Sequence, residues 1–189
     1  NMKEVSPTVG YAVPRIWEKY YSMITIKMSD ATLFKRIIYK GAMMIGEAYI
    51  RRKEKNGVPF YLRALYALAA LAVFRKLKER LGFERMRMAF SGAAPISPGV
   101  LRFFNLIGLQ LLEGYGQTEG TGVTSANREN HAKIGTVGPP LPNVECKIAE
   151  DGEILIRGEN LFSGYFKRPE ATAEAMDGDW FRSGDIGEL

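Results

Sequence analysis

The sequence predicts an α/β protein, and three observations carry that prediction. The first is the succession "RMRMAFSG", "SPGVLRFFNLIG" and "LQLLEGYG", a strand, a helix and a strand with short connections, which reads as a right-handed crossover unit of a parallel sheet. The second is a long helical pattern ahead of it. The third is a series of short β-rich runs, broken by Pro-Pro and Asp-Gly turns, from Gly135 onward.

Taken in order, "SPTVGYAVP" mixes Pro and Gly with β-branched and aromatic residues, so the residues before Pro14 read as loop or short strand. From Arg15, apolar residues recur three and four apart without proline, predicting helical segments that end at Gly57, and a further helix from about Pro59 to Leu81. After the "RMRMAFSG" strand, Ser97 is placed to cap a helix, Pro98 suits its first turn and Gly108 its end. "CKIAEDGEILIRG" then reads as a hairpin with its turn at Asp151-Gly152. The final segment, "DGDWFRSGDIGEL", reads as another strand.

The 189 residues, 46% hydrophobic and 25% charged, suffice for a sizeable core in one domain or two small ones. The net charge of +5 comes from 26 basic and 21 acidic residues, with no basic repeat or reader motif, so a nucleic-acid partner is not expected. Cys146 is the only cysteine and His131 the only histidine. That excludes an internal disulfide and a multi-histidine metal site, and it fits a reducing compartment, with the cytoplasm as the default. "ALYALAALAVF" falls short of the roughly 20 residues that span a bilayer. It reads as a buried helix with a solvated basic end at Arg75, Lys76, Lys78 and Arg80, and peripheral attachment to a membrane surface stays open beside that reading.

Sites in parallel sheets lie beyond the carboxyl ends of the strands, where "SGAAP" and "GYGQTEG" both fall. Tyr115 offers a flat face to a base, Thr118 a hydroxyl to a phosphate and Glu119 a carboxylate to a hard cation. Gly114, Gly116, Gly120 and Gly122 let backbone approach a ligand closely. A carboxylate beside phosphates requires an ion between them, and Mg²⁺ is held by one or two carboxylates plus phosphate oxygens. The residues alone also allow a tight loop with a surface glutamate, a small-residue turn at Gly92 to Pro95, and a turn aspartate at Asp185 in "RSGDIG". No Walker or Rossmann glycine loop occurs.

Together "SGAAP", "GYGQTEG", "GEILIRGENLFSGYFKRPEAT" and "WFRSGDIGEL" resemble, in order, the motifs of the adenylate-forming superfamily. "VSPTVGYAVPRIWEKYY" is similar to a segment of its long-chain fatty acyl-CoA synthetases, whose helical insertion the stretch from Tyr20 to Leu81 resembles. The resemblance implies part of the large amino-terminal domain of such a synthetase. Residues 1–134 would form a partial AMP-binding α/β subdomain with the insertion, and 135–189 a truncated, barrel-like β subdomain. Gly92, Ala93, Ala94 and Pro95 would border adenine and Tyr115 would stack on it. Thr118 would contact the α-phosphate, Glu119 would hold Mg²⁺, and Asp185 would bind the ribose hydroxyls, with Gly114, Gly116 and Gln117 completing the wall.

The reaction so implied joins a fatty acid to CoA at the expense of ATP, releasing AMP and pyrophosphate. The family's phosphate loop and its carboxyl-terminal catalytic lysine have no counterpart here, so the chain reads as an internal fragment without turnover of its own. Two rival readings accompany this one: an adenylate-forming enzyme for an aryl or amino acid, and a non-catalytic basic module that binds anionic lipid.

Overall fold

The computed structural model describes residues 2–55, 57–129 and 132–189, so His131 lies outside the described residues. The chain divides into two compact units, Asn1–Leu112 and Glu113–Leu189. The change of composition at Gly135 falls inside the second.

The first unit begins with a short helix, α1 (Met2–Val5), where loop or strand was expected, followed by β1 (Val9–Ala12). Helix α2 (Pro14–Ser29) starts on a proline, which costs no hydrogen bond at that position, and α3 (Leu33–Glu54) follows. The expected helix to Leu81 is present with one departure. Helix α4 (Phe60–Ala69) and α5 (Arg75–Leu81) are joined by a π-helical turn, Ala70–Phe74. The buried residues explain it, since they are Leu62, Ala69, Phe74 and Leu81. Five residues of regular α-helix would leave Phe74 about 140° away from Ala69 around the axis. A turn widened to five residues returns Phe74 to the buried face.

Strand β2 (Met88–Ser91) pairs in parallel with β1, in the register Gly10 with Ala89 and Tyr11 with Phe90. Helix α6 (Pro98–Leu106) connects β2 to β3 (Gln110–Tyr115), its neighbour in the sheet order β1-β2-β3. Pro98 opens α6 as expected, but the Ser97 side chain makes no capping hydrogen bond; its carbonyl accepts from Val100 and Leu101 instead. Gly108, at φ 78°, ends the helix, with Gly108 N bonded to Asn105 O and Leu109 N to Phe104 O. Gly82 ends α5 in the same way, through Glu79 O and Lys78 O. Both are Schellman motifs that need a left-handed residue.

The core of this unit is aromatic. Trp17 meets Phe104 edge-on at 5.4 Å, Tyr20 meets Phe83 at 5.0 Å, and the Trp17 indole donates to Ala12 O at 3.1 Å. Two of the four basic residues at the end of α5 are engaged inside the unit: Lys78 Nζ donates to Gly108 O at 3.2 Å and Arg75 pairs with Glu79 at 2.9 Å. Among the described residues, no helix is long and apolar enough to cross a membrane.

The second unit receives the end of β3, which pairs antiparallel with β4 (Ser125–Ala126), Tyr115 opposite Ser125. Its second sheet is antiparallel, in the order β5-β6-β8-β7, from β5 (Val144–Ile148), β6 (Glu153–Gly158), β7 (Met176–Asp177) and β8 (Trp180–Ile186), with α7 (Pro169–Glu174) between β6 and β7. The β5-β6 hairpin forms where expected. Its turn is wider than a two-residue one: Gly152 N bonds to Ala149 O, Gly152 takes φ 88°, and Ala149 N closes the loop on Glu153 O. That is a three-residue loop ending in a left-handed glycine. Strands β5 and β7 are edges among the described residues, so the sheet described is open, without barrel closure.

Candidate functional site

In the first unit, the "SGAAP" turn leaves β2 as expected. Gly92 is buried, whereas Ala93, Ala94 and Pro95 are exposed at its tip. Ala93 has φ 71°, a left-handed conformation that side chains rarely adopt. The Ser91 hydroxyl beside it is buried without a hydrogen-bond partner among the described residues.

In the second unit, β3 delivers Tyr115 to the mouth of the glycine-flanked loop. The chain then folds back as a 3-10 turn, Thr118–Gly120. Gln117 O accepts both Gly120 N and Gly122 N at 3.0 Å, and Thr124 N returns to Tyr115 O at 2.8 Å. The loop is therefore closed on itself by backbone. Gly116 is required by contact, because a Cβ there would sit 2.3 Å from Gly122 O and 2.7 Å from Val123 Cα. Gly114 is less crowded, with Ser125 O at 3.2 Å.

The side chains of this loop point in different directions. Thr118 is exposed, so its hydroxyl is free to meet a ligand. Glu119 Oε1 accepts the Tyr165 hydroxyl at 2.9 Å, and Oε2 has no partner among the described residues. Tyr115 Oη donates to Asp185 Oδ2 at 2.7 Å, which brings the expected base-stacking ring and the expected ribose acid together. Burial, with the Asp185 carboxylate adding to it, pushes the Tyr115 hydroxyl up to about 12, so it is a donor at neutral pH. The Gln117 amide nitrogen is buried and unpartnered, a donor aimed at nothing among the described residues.

The donor set fits a magnesium nucleotide. Among the described residues no group of three or more His, Cys, Asp or Glu is arranged around an ion. An ion at Glu119 would thus take most of its ligands from phosphate oxygens and water, which is the habit of Mg²⁺.

Four residues of the site, Asn160, Phe162, Tyr165 and Glu153, carry no role that the sequence alone assigns. Asn160 Nδ2 donates to Gly120 O at 3.1 Å, Thr121 Oγ1 donates to Asn160 O, and Phe162 N donates to Glu119 O at 2.7 Å. The segment after β6 thus straps the Thr118–Gly120 turn. Tyr165 ends the strap on Glu119. Glu153, buried at the start of β6, accepts Gly184 N at 2.8 Å and Arg182 Nε at 3.0 Å, just ahead of Asp185. Asn160, Phe162, Tyr165 and Glu153 all belong to the "GEILIRGENLFSGY" motif, a signal for the family rather than for any one residue's role.

Comparison with known proteins identifies the family. The family model described as AMP-binding enzyme matches residues 1–166. The chain is 39% identical to the long-chain-fatty-acid–CoA ligase FadD15 of Mycobacterium bovis over 97% of its own length and 30% of that protein's. It is 35% identical to long chain acyl-CoA synthetase 3 of Arabidopsis thaliana over all of its length and 30% of the plant protein's. It thus spans about a third of the relatives it matches. The amino-terminal domain of FACL13 from Mycobacterium tuberculosis shares the fold, at TM-score 0.61 and 23% identity, over 100% of this chain and 38% of that one. The o-succinylbenzoate CoA synthetase of Bacillus subtilis, solved with ATP and a magnesium ion, matches 56% of this chain and 25% of its own at TM-score 0.52 and 28% identity. With a matched segment that contains the whole Tyr115 to Glu119 loop, the chain belongs to the AMP-binding enzyme family.

Proposed function

We propose that this chain is the adenosine-binding part of an AMP-forming long-chain fatty acid-CoA ligase. The observation that carries the reading is the Tyr115–Asp185 hydrogen bond. It brings within one hydrogen bond the aromatic face expected to meet adenine and the carboxylate expected to meet the ribose hydroxyls, which supports the reading. The fatty-acid substrate class is supported by relatives named as long-chain fatty acid ligases or synthetases at 35–39% identity.

In this reading the fatty carboxylate oxygen attacks the α-phosphorus of ATP and the bond to the bridging oxygen breaks, releasing pyrophosphate. The CoA sulfur then attacks the acyl carbon of the acyl-adenylate, and AMP leaves with the electron pair of the broken C–O bond. Tyr115 holds adenine on its ring, Asp185 accepts the ribose hydroxyls, and Thr118 donates to an α-phosphate oxygen. Gly114, Gly116 and Gln117 form the wall beside them, and Gly92, Ala93, Ala94 and Pro95 border the adenine. Magnesium held on Glu119 would neutralise phosphate charge during the transfer. No enzyme nucleophile is needed, because positioning and charge stabilisation carry such chemistry.

In the complete protein, residues 1–134 form the AMP-binding subdomain and 135–189 open the β subdomain. The 189-residue chain by itself has no turnover, since the triphosphate cradle and the catalytic lysine of the family lie outside it. A single cysteine fits a cytoplasmic protein, and the engagement of Lys78 and Arg75 within the chain fits a contact with membranes that is at most peripheral.

ATP-pyrophosphate exchange by the complete protein, with fatty acids of graded length beside aryl and amino acids, tests the reading. Exchange stimulated by long-chain acids supports it. Exchange with aryl or amino acids alone moves the protein to another branch of the family. No exchange, with lipid vesicles bound instead, replaces it with the lipid-binding reading.

A further inference from the structure

We propose that Glu153 is a positioning residue for Asp185, and so for recognition of the ribose hydroxyls; this rests on the role given to Asp185 above. Strands β6 and β8 do not pair evenly here. Glu153 lies opposite Ile186 and Leu155 opposite Arg182, so an advance of two residues on β6 (153 to 155) meets four on β8 (186 to 182). The two additional residues of β8 bulge out of the ladder around Gly184, which has φ 74°. A bulge leaves backbone groups unpaired and redirects side chains.

Glu153 supplies what the ladder does not. It is 8% exposed and both of its oxygens are engaged. Oε1 accepts Gly184 N at 2.8 Å, while Oε2 accepts Arg182 Nε at 3.0 Å and Arg182 Nη2 at 2.8 Å. A buried carboxylate is costly unless paired and hydrogen-bonded, and this one meets both conditions. Its partners hold the backbone on the amino-terminal side of Asp185. Asp185 N turns to Ser183 Oγ at 3.1 Å, and the exposed Asp185 carboxylate is left to Tyr115. The bulge aims Asp185, and Glu153 fixes the bulge.

Without Glu153, Gly184 N has no acceptor and Arg182 keeps only Asp151, at 3.8 Å. Glutamine puts an NH2 donor where one of the two oxygens was, so either Gly184 N or the Arg182 fork then faces a donor instead of an acceptor. The two substitutions should therefore form a series.

The test is calorimetric titration of the complete protein with AMP, 2′-deoxy-AMP and 3′-deoxy-AMP. The ratio of dissociation constants isolates the hydroxyl contacts and does not depend on the fraction of protein folded. Wild type is expected to prefer AMP over each deoxy form roughly tenfold, the size of a hydrogen bond to a charged group. Glu153→Ala should bring both ratios close to one while weakening AMP, and Glu153→Gln should fall between. Wild-type ratios in a folded Glu153→Ala overturn the proposal, and if that variant does not fold, wild-type ratios in Glu153→Gln do so. Asp185→Ala separates the two layers. If it keeps the wild-type ratios, the ribose role of Asp185 is wrong and this proposal falls with it. If it removes them and the Glu153 variants do not, only the positioning role fails.

Discussion

Tyr115 and Asp185 stand 70 residues apart in the chain and are joined by a hydrogen bond of 2.7 Å from the phenol to the carboxylate. The bond occupies Asp185 Oδ2, leaving Oδ1 for a ligand. Tyr115→Phe keeps the ring face and frees the second oxygen. Nucleotide affinity should change by less than about tenfold, the range of a single hydrogen bond. Tyr115→Ala removes the stacking face as well and should cost more. Titration with AMP measures both.

A second pair concerns the metal step. The Tyr165 hydroxyl fixes one oxygen of Glu119 from the exposed side, at 2.9 Å. Tyr165→Phe should raise the Mg²⁺ concentration needed for half-maximal exchange a few-fold, with the apparent affinity for ATP at saturating Mg²⁺ unchanged. Stability should move by about 0.5 kcal/mol or less, as for most surface substitutions. Glu119→Ala should lower the exchange rate on the order of a hundredfold with the fold retained, the usual size of a lost charge-stabilising group.

Gly116→Ala tests the closed loop. The added methyl would overlap backbone atoms of Gly122, Val123 and Thr124, none of which can rotate away. A loss of about 1–3 kcal/mol is expected from forced repacking, read from a urea midpoint. Nucleotide binding should fall with it. Gly122→Ala should be milder, since space is open there and only φ 94° opposes a side chain.

Local features of the fold were legible in the sequence. The helix ends at Gly82 and Gly108, the hairpin near Asp151-Gly152 and the loop from Gly114 to Glu119 all rest on glycines or turn residues that act within a few positions. What was not legible depends on distant partners. Thr121 adopts φ 55° without being glycine, with its hydroxyl bonded to Asn160 O across the chain. Glu153 looks like one acid of a solvated hairpin until β8 is laid beside it. Periodicity could suggest an uninterrupted helix to Leu81, but the π turn appears only once Phe74 has a core to enter. Ser97 matched a capping residue by type, yet only its backbone takes part.

Alkaline pH should weaken the fold. Burial pushes the Tyr39, Tyr66 and Tyr115 hydroxyls up to about 12 from 10.0. A pKa raised on folding gives stability that is full below the unfolded value and is lost as pH climbs from about 10 to about 12. Urea midpoints should thus fall across that window. Tyr66→Phe should start lower by about 0.5–1.5 kcal/mol, because the hydroxyl donates to Leu106 O at 3.0 Å. It should then fall less steeply, with one fewer proton linked to unfolding.

The central claim is that the site activates an acid by adenylation. The most direct measurement uses palmitate labelled with ¹⁸O in its carboxylate, together with ATP, Mg²⁺, CoA and the complete protein. If the carboxylate attacks the α-phosphorus, one labelled oxygen must leave in AMP, and mass spectrometry should find AMP heavier by one ¹⁸O per acyl-CoA formed. Unlabelled AMP, or ADP with the label in inorganic phosphate, would contradict the account.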